Sequence, residues 1–323
     1  MVISRFAPSP TGALHLGHAF SAVRAHDRAR AAGGGFLLRI EDIDGGRSRP
    51  DHVARIFDDL RWLGLAWDGD VLFQSERLDA YAEALERLKT MGLVYRCFCT
   101  RAEIAASLSA PHGSEGAIYP GTCRLLTPEE AERRAGEPHC WRLDIGKAIA
   151  TVVTSDLFRG PPGRLAQEAR QERSRGRADH VARWVPEQVQ HDGELIWYDE
   201  LAGEIVADPQ LQGDVVLARK DAPASYHLAV TVDDAAQGVT HVVRGVDLFE
   251  ATHIHRLLQA LLDLPTPIYR HHALLTDAAG QRLAKRHGAP TLESLRLSGM
   301  GGPALADDLR AGRLPIGFGM AKA

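Results

Sequence analysis

Residues 5–18 read Arg-Phe-Ala-Pro-Ser-Pro-Thr-Gly-Ala-Leu-His-Leu-Gly-His, and residues 36–44 read Phe-Leu-Leu-Arg-Ile-Glu-Asp-Ile-Asp. An apolar segment (Val2, Ile3, Phe6) leads into the first stretch, which breaks at the Pro- and Gly-rich residues 8–12. An Ala- and Arg-rich segment over residues 15–32 follows, with the spacing of a helix. Gly33, Gly34 and Gly35 suit the end of that helix, and residues 36–40 read as a strand. Strand, loop, helix and strand in this order form one unit of a doubly wound α/β sheet, a fold that takes its ligands at the loop after the first strand.

Working outward, residues 51–92 carry two amphipathic helical patterns. Ile56, Leu60 and Leu63 form one apolar face, and Leu78, Tyr81, Leu85 and Leu88 the next. Thr100 with Glu103 and Thr127 with Glu130 are capping boxes, each predicting a short helix. Apolar runs at 215–219, 227–232 and 239–245 read as strands, so the sheet is expected to resume after an insertion.

The chain has 323 residues, 45% hydrophobic and 25% charged, enough for a sizeable core, so disorder is not the default reading. A formal charge of −4 gives no overall basic field, so a nucleic-acid partner would need a local basic face. Residues 159–183 hold seven arginines against Glu168, Glu172 and Asp179, readable as a solvated helix pair or as a phosphate-backbone contact. Only five of the 38 basic residues are lysines, so a lysine at a motif position carries weight. No run approaches the roughly 18 apolar residues of a membrane span, and the start lacks the layout of a signal peptide. A cytoplasmic protein without a membrane partner is predicted.

Two motifs carry chemistry. His15-Leu16-Gly17-His18 opens the first helix, where backbone N–H groups and the helix dipole favour anions and Gly17 allows close approach of a nucleotide. Histidines three apart on a helix could also ligate zinc or be surface polar groups. The four cysteines (Cys97, Cys99, Cys123, Cys140) fall within one 44-residue stretch, which in a reducing compartment favours a metal site over disulfides. Thiolates on alternate residues, as at Cys97 and Cys99, can clamp one tetrahedral ion, and Cys123, Cys140, Tyr119, His112 and His139 are candidates for the remaining ligands of a structural Zn2+.

The N-terminal stretch with residues 37–44 resembles the start of class I aminoacyl-tRNA synthetases of the glutamyl and glutaminyl group. The resemblance continues through residues 60–70, 74–85, 95–100, 226–230, 232–234, 238–245 and 282–290, covering most of 1–110 and 197–292. It implies an α/β fold, a Rossmann-type parallel sheet split by a zinc-containing insertion. The expected division is 1–96 and 213–292 for the two halves of the catalytic domain, 97–212 for the insertion and 293–323 for a tail.

It also implies a reaction and its residues. The family activates its amino acid by attack of the carboxylate on the α-phosphate of ATP, with Mg2+, so positioning and cationic stabilisation are what the protein must supply. His15, Gly17 and His18 would hold the phosphates, and Lys285 matches the second lysine of the family's Lys-Met-Ser-Lys-Ser loop. That loop departs from the pattern at Arg282 and Ala284, so somewhat weaker ATP binding is expected. Arg5, Ala7, Ser9, Glu41, Tyr226 and Arg244 match the glutamate site, with Glu41 on the ammonium and the two arginines suited to carboxylates. A surface ion pair is the other reading of Arg244. For the metal, the family's pattern selects Tyr119 beside Cys97, Cys99 and Cys123.

Length then separates subfamilies. Only 38 residues follow Lys285, too few for the helical anticodon-binding region of a full glutamyl-tRNA synthetase. A chain with no anticodon-binding domain resembles the glutamyl-queuosine tRNA(Asp) synthetases, which implies glutamate, ATP and queuosine-containing tRNA(Asp) as partners of a monomer. A truncated glutamyl-tRNA synthetase and a non-catalytic tRNA-binding paralogue are the alternatives.

Overall fold

The computed structural model describes residues 1–106, 118–154, 190–191, 194–277, 280–283, 290–315 and 317–321. Lys285 and Ala284, His112 and the arginine-rich residues 159–183 lie outside the described residues.

The first unit forms as its sequence predicts. β1 (Ile3–Phe6) pairs in parallel with β2 (Gly35–Ile40), in register from Ile3 opposite Gly35 to Phe6 opposite Leu38. The short β3 (Leu72–Phe73) extends the ladder in parallel. Between the first two strands runs α1 (Leu16–Arg30), which buries Leu16, Phe20, Val23 and the alanines 19, 22, 25 and 29. These small side chains let the helix lie close to the sheet, and Arg28 and Arg30 in its last turn suit the negative end of its dipole. It stops at Gly33, whose φ of +61° is a left-handed conformation that glycine adopts without strain. A Cβ on Gly34 would sit 1.9 Å from the Val2 carbonyl oxygen, so only glycine lets the chain turn back beside β1.

α2 (Pro50–Trp62) and α3 (Leu78–Thr90) follow, burying Ile56 and Leu60, and Tyr81, Leu85 and Leu88 respectively. Leu63 is buried just past α2, whereas Leu78, expected on the inner face of α3, is 38% exposed at its first position, before the helix meets its partner. The next elements are β4 (Val94–Cys97), α4 (Arg101–Ala106), α5 (Pro128–Arg133), β5 (Cys140–Leu143) and α6 (Ile145–Thr154). Both capping boxes form, Thr100 with Glu103 and Thr127 with Glu130. Then come β6 (Gln190–His191), β7 (Glu194–Asp199), β8 (Gly203–Val206) and β9 (Val216–Ala218).

The run at 227–232 is not a strand. It is α7 (Tyr226–Ala236), which buries Leu228, Ala229, Val230, Thr231, Asp233 and Asp234. A helix covered on several sides loses the polar face that would reveal its period, and its valines and threonine mimic a strand. The run at 215–219 contains β9 as expected, but β9 joins β4 and β5 in a small antiparallel sheet. β10 (His241–Gly245) lies where the third run predicts, followed by α8 (Ala251–Leu261), β11 (Ile268–His272) and β12 (Leu275–Asp277).

β10 and β11 pair in parallel, Arg244 opposite His271, and β11 pairs in parallel with β7. β1 and β10 meet through Thr240, which bonds Ile3 by its hydroxyl and its backbone N–H. The carboxyl ends of β1, β2, β10, β11 and β7 thus belong to one α/β layer, covered by α1 on one side. At the end of the chain α9 (Leu292–Leu297) and α10 (Gly302–Arg310) return to the first unit, and β13 (Phe318–Met320) pairs with β12. Gly302 packs so closely that a Cβ there would meet the Trp62 carbonyl at 1.9 Å. Leu292, Leu305 and Leu309 accordingly share one core with Phe20, Phe36, Ile40 and Ile56.

Candidate active site

A cavity of about 470 Å³ opens at the carboxyl ends of β1 and β10, lined by Arg5, Ala7, Ser9, His15, Gly17, His18, Glu41, Tyr226, Arg244 and Arg282 among others. All the amino-acid and nucleotide residues expected from the sequence, except Lys285, therefore face one space.

His15 is the N-cap of α1, and its Nδ1 accepts the Gly17 N–H at 3.1 Å. His18 Nδ1 accepts the His15 N–H at 3.1 Å, closing a reciprocal cap. An imidazole that accepts at Nδ1 carries its proton on Nε2, so each neutral ring has an N–H donor on its other side. Gly17 keeps this packing relaxed, since a Cβ would stand a tight 3.0 Å from His15 Cε1. The segment after the loop that holds Lys285 is tied to the same point, because His15 bridges Thr291 and the Leu292 N–H bonds the Leu14 carbonyl at 2.9 Å. On the opposite wall Arg282 pairs with Asp247 at 2.6 Å. Gly245 leaves room there, since a Cβ would lie 2.4 Å from Asp247 Oδ1.

Arg5 and Arg244 are held differently. The Arg5 Nε donates to Asp234 Oδ1 at 2.9 Å, and Arg39 donates to the same oxygen at 2.7 Å. Burial alone would raise the Asp234 carboxyl, but Arg5 and Arg39 outweigh it and hold it below the usual range. Glu41 stands 3.6 Å from Arg39, and burial pushes its carboxyl up despite the pull of Arg39 and Arg5. Asp233, one residue before Asp234, accepts from Tyr81 Oη at 2.7 Å, Gln74 at 2.8 Å and Arg77 at 2.6 Å, pinning α7 to α3.

Arg244, 6% exposed, pairs with no carboxylate among the described residues. Its donors go to neutral acceptors: Tyr226 Oη at 3.1 Å, Thr252 Oγ1 at 2.7 Å, the Leu248 carbonyl at 3.0 Å, His271 Nε2 at 3.0 Å and, more distantly, His255 Nδ1 at 3.4 Å. Its guanidinium is thus buried and hydrogen-bonded to neutral groups, with no carboxylate in contact. The surface ion pair that was the other reading of Arg244 is not what the fold makes.

The cysteine motif converges some distance along the chain. Sγ atoms of Cys97, Cys99 and Cys123 lie within 4.8 Å of one another, Cys99 and Cys123 at 3.5 Å. Tyr119 Oη is 3.7 Å from Cys99 Sγ and accepts the Cys123 N–H at 2.8 Å. Two sulfurs on one tetrahedral zinc stand about 3.8 Å apart at Zn–S bonds of about 2.3 Å, so this donor set fits such an ion. Of the other candidates, Cys140 faces Cys97 across the β4–β5 pair, while His139 turns its Nδ1 to the Glu137 carbonyl at 2.8 Å. Hydrogen bonding from Cys140 draws the Cys97 thiol below its ordinary range against the opposing effect of burial. Asp214 anchors this lobe, taking Arg124 at 2.9 Å and Tyr95 at 2.6 Å.

Known proteins resemble this chain over most of its length. The family model for the catalytic domain of class I tRNA synthetases (E and Q) matches residues 1–162 and 162–307. A glutamyl-Q tRNA(Asp) synthetase of Rhodobacter capsulatus is 48% identical over 305 residues, covering 92% of this chain and 96% of that protein. One of Symbiobacterium thermophilum is 45% identical, covering 93% and 82%. The chain belongs to the glutamyl-Q tRNA(Asp) synthetase family, ligases of the class I aminoacyl-tRNA synthetase type. Among solved structures, a glutamate tRNA ligase of Elizabethkingia meningosepticum, in complex with its amino acid, is 26% identical with a TM-score of 0.63. The match covers 89% of this chain and 52% of that one, so this chain spans about half of that ligase. Among the described residues no helix is long and apolar enough to cross a membrane.

Proposed function

We propose that this chain activates glutamate with ATP in the absence of tRNA and transfers it to queuosine at the wobble position of tRNA(Asp). Charge balance in the cavity is the observation that carries the activation step. Arg5, Glu41 and Arg244 line the cavity; Arg5 and Arg39 are met by Asp234 and Glu41, which leaves Arg244 as the buried arginine there with no carboxylate in contact among the described residues. Glutamate brings one net negative charge. Its ammonium suits Glu41, and its side-chain carboxylate suits the Arg244 and Tyr226 pair. Ala7 and Ser9 leave room beside it. Glutamine would leave the Arg244 charge buried and uncompensated.

Activation joins an α-carboxylate oxygen to the α-phosphorus of ATP as the bond to the β-phosphate oxygen breaks and pyrophosphate leaves. Donors already in place at His15, His18 and Arg282 would meet the charge on the phosphates, with Lys285 and Mg2+ supplying the rest. Cys97, Cys99, Cys123 and Tyr119 would hold a structural zinc that stiffens the lobe around α4 and β5. The names of the 48% and 45% identical relatives support queuosine as the acceptor.

The transfer step is tested with radiolabelled glutamate, ATP and three RNAs. Queuosine-containing tRNA(Asp) should be labelled, while tRNA(Asp) without queuosine and tRNA(Glu) should not. Labelling of tRNA(Glu) would show an ordinary glutamyl enzyme instead.

A further inference from the structure

We propose that Asp199 and His271 are positioning residues that hold Arg244 in orientation without neutralising its charge. The proposal rests on the reading of Arg244 as the receptor for the side-chain carboxylate.

Three neighbouring parallel strands carry the chain of contacts. Arg244 is on β10, His271 is opposite it on β11, and Asp199 ends β7. The Arg244 Nε–H donates to His271 Nε2 at 3.0 Å. A guanidinium can only donate, so His271 Nε2 must be an acceptor and the ring proton must sit on Nδ1. That proton goes to Asp199 Oδ2 at 2.7 Å. The same oxygen accepts the His271 backbone N–H at 3.0 Å, while Oδ1 accepts the N–H groups of Leu201 at 2.8 Å and Ala202 at 3.0 Å. The carboxylate is therefore fixed by backbone at both oxygens, and it admits one tautomer of His271.

The alternative tautomer would place an N–H on Nε2 against the Arg244 N–H and displace the fork. Stacking sets the ring plane, with Tyr269 parallel to His271 at 5.7 Å and Phe249 against its edge at 5.1 Å. An imidazole between Asp199 and Arg244 keeps the negative charge one ring away from the guanidinium. Arg5 shows the other solution, a carboxylate in direct contact, and its charge is spent within the protein. Nothing in the resemblance to synthetases singles out Asp199 or His271, and the reaction as proposed does not need them to touch substrate.

The test uses glutamate- and ATP-dependent pyrophosphate exchange by the full chain. His271→Phe keeps the stacked ring and removes the acceptor. It should raise KM for glutamate about tenfold, the scale of one hydrogen bond to a charged group, with KM for ATP within about twofold. His271→Gln, which restores an acceptor, should recover most of the loss. An unchanged KM for glutamate in His271→Phe, or equal rises for glutamate and ATP, would overturn the proposal. Nitrogen-15 NMR of the wild-type protein decides it independently of how the variants fold. His271 should be protonated at Nδ1 near pH 7, and an Nε2-protonated ring would overturn it. Absence of exchange in the wild-type chain would instead defeat the functional reading, and the tautomer would still settle the relay.

Discussion

Two arginines face the same cavity, and the protein treats them in opposite ways. Around Arg5, a buried carboxylate on α7 is shared with Arg39, and the cluster closes on itself. Around Arg244, a hydroxyl, a phenol, a carbonyl and two imidazoles accept the hydrogen bonds, and no carboxylate among the described residues is in contact. The contrast separates two jobs that a count of arginines cannot. A guanidinium paired with carboxylate braces the fold and shapes the pocket, whereas one held by neutral groups keeps its charge for a ligand.

The largest expected effect comes from opening the paired side. Asp234→Ala strands two buried arginines, and breaking a buried pair by removing one partner costs about 3–5 kcal/mol. The melting temperature should fall by roughly 5–15 °C. A drop of less than about 2 °C by scanning calorimetry would mean that the Arg5 cluster does not brace the fold.

A smaller effect separates the two regions by pH. Burial, set against the pull of Asp199, leaves His271 near 4; burial and then Arg244 bring His227 to about 4 and His255 well below its ordinary value. Their folded pKa values lie below the unfolded value of about 6.5, so their stabilisation is complete above that pH. It erodes as the unfolded chain takes up protons and is lost as pH falls through about 4. The Asp234 carboxylate is also depressed, so its contribution persists until pH drops below the ordinary aspartate range. Melting temperature should therefore decline between about pH 6.5 and pH 4.5, and the decline should be shallower in His271→Phe. A flat profile down to about pH 4.5 would mean that the Arg244 side is not built on neutral imidazoles.

Much of the cavity is legible in the sequence because its residues sit in short local patterns. Arg5 lies in β1 with Ala7 and Ser9 just past it, His15 to His18 open one helix, and Glu41 follows β2, so the resemblance to the synthetases could match them position by position. The rest is held by long-range packing, which spacing does not reveal. Asp234 is 229 residues from Arg5, and Asp199 is 72 from His271, with no motif to link either pair. The period of α7 is hidden because burial on several sides erases its polar face, although the acidic pair at 233 and 234 is a signal that two buried carboxylates need partners. The metal lobe is intermediate: its thiolates can be grouped by spacing, but the roles of Cys140 and His139 depend on which way β5 and its preceding turn face.

The central claim is that an uncompensated Arg244 selects a dicarboxylic amino acid for activation. Pyrophosphate exchange without tRNA tests it most directly, run with glutamate and with glutamine on the wild-type chain and on Arg244→Met. The expected result is exchange with glutamate, at least about 100-fold less with glutamine, and loss of that preference in the variant, the scale set by leaving a buried charge unpaired. Equal exchange with both amino acids, or a preference that survives in Arg244→Met, would contradict it.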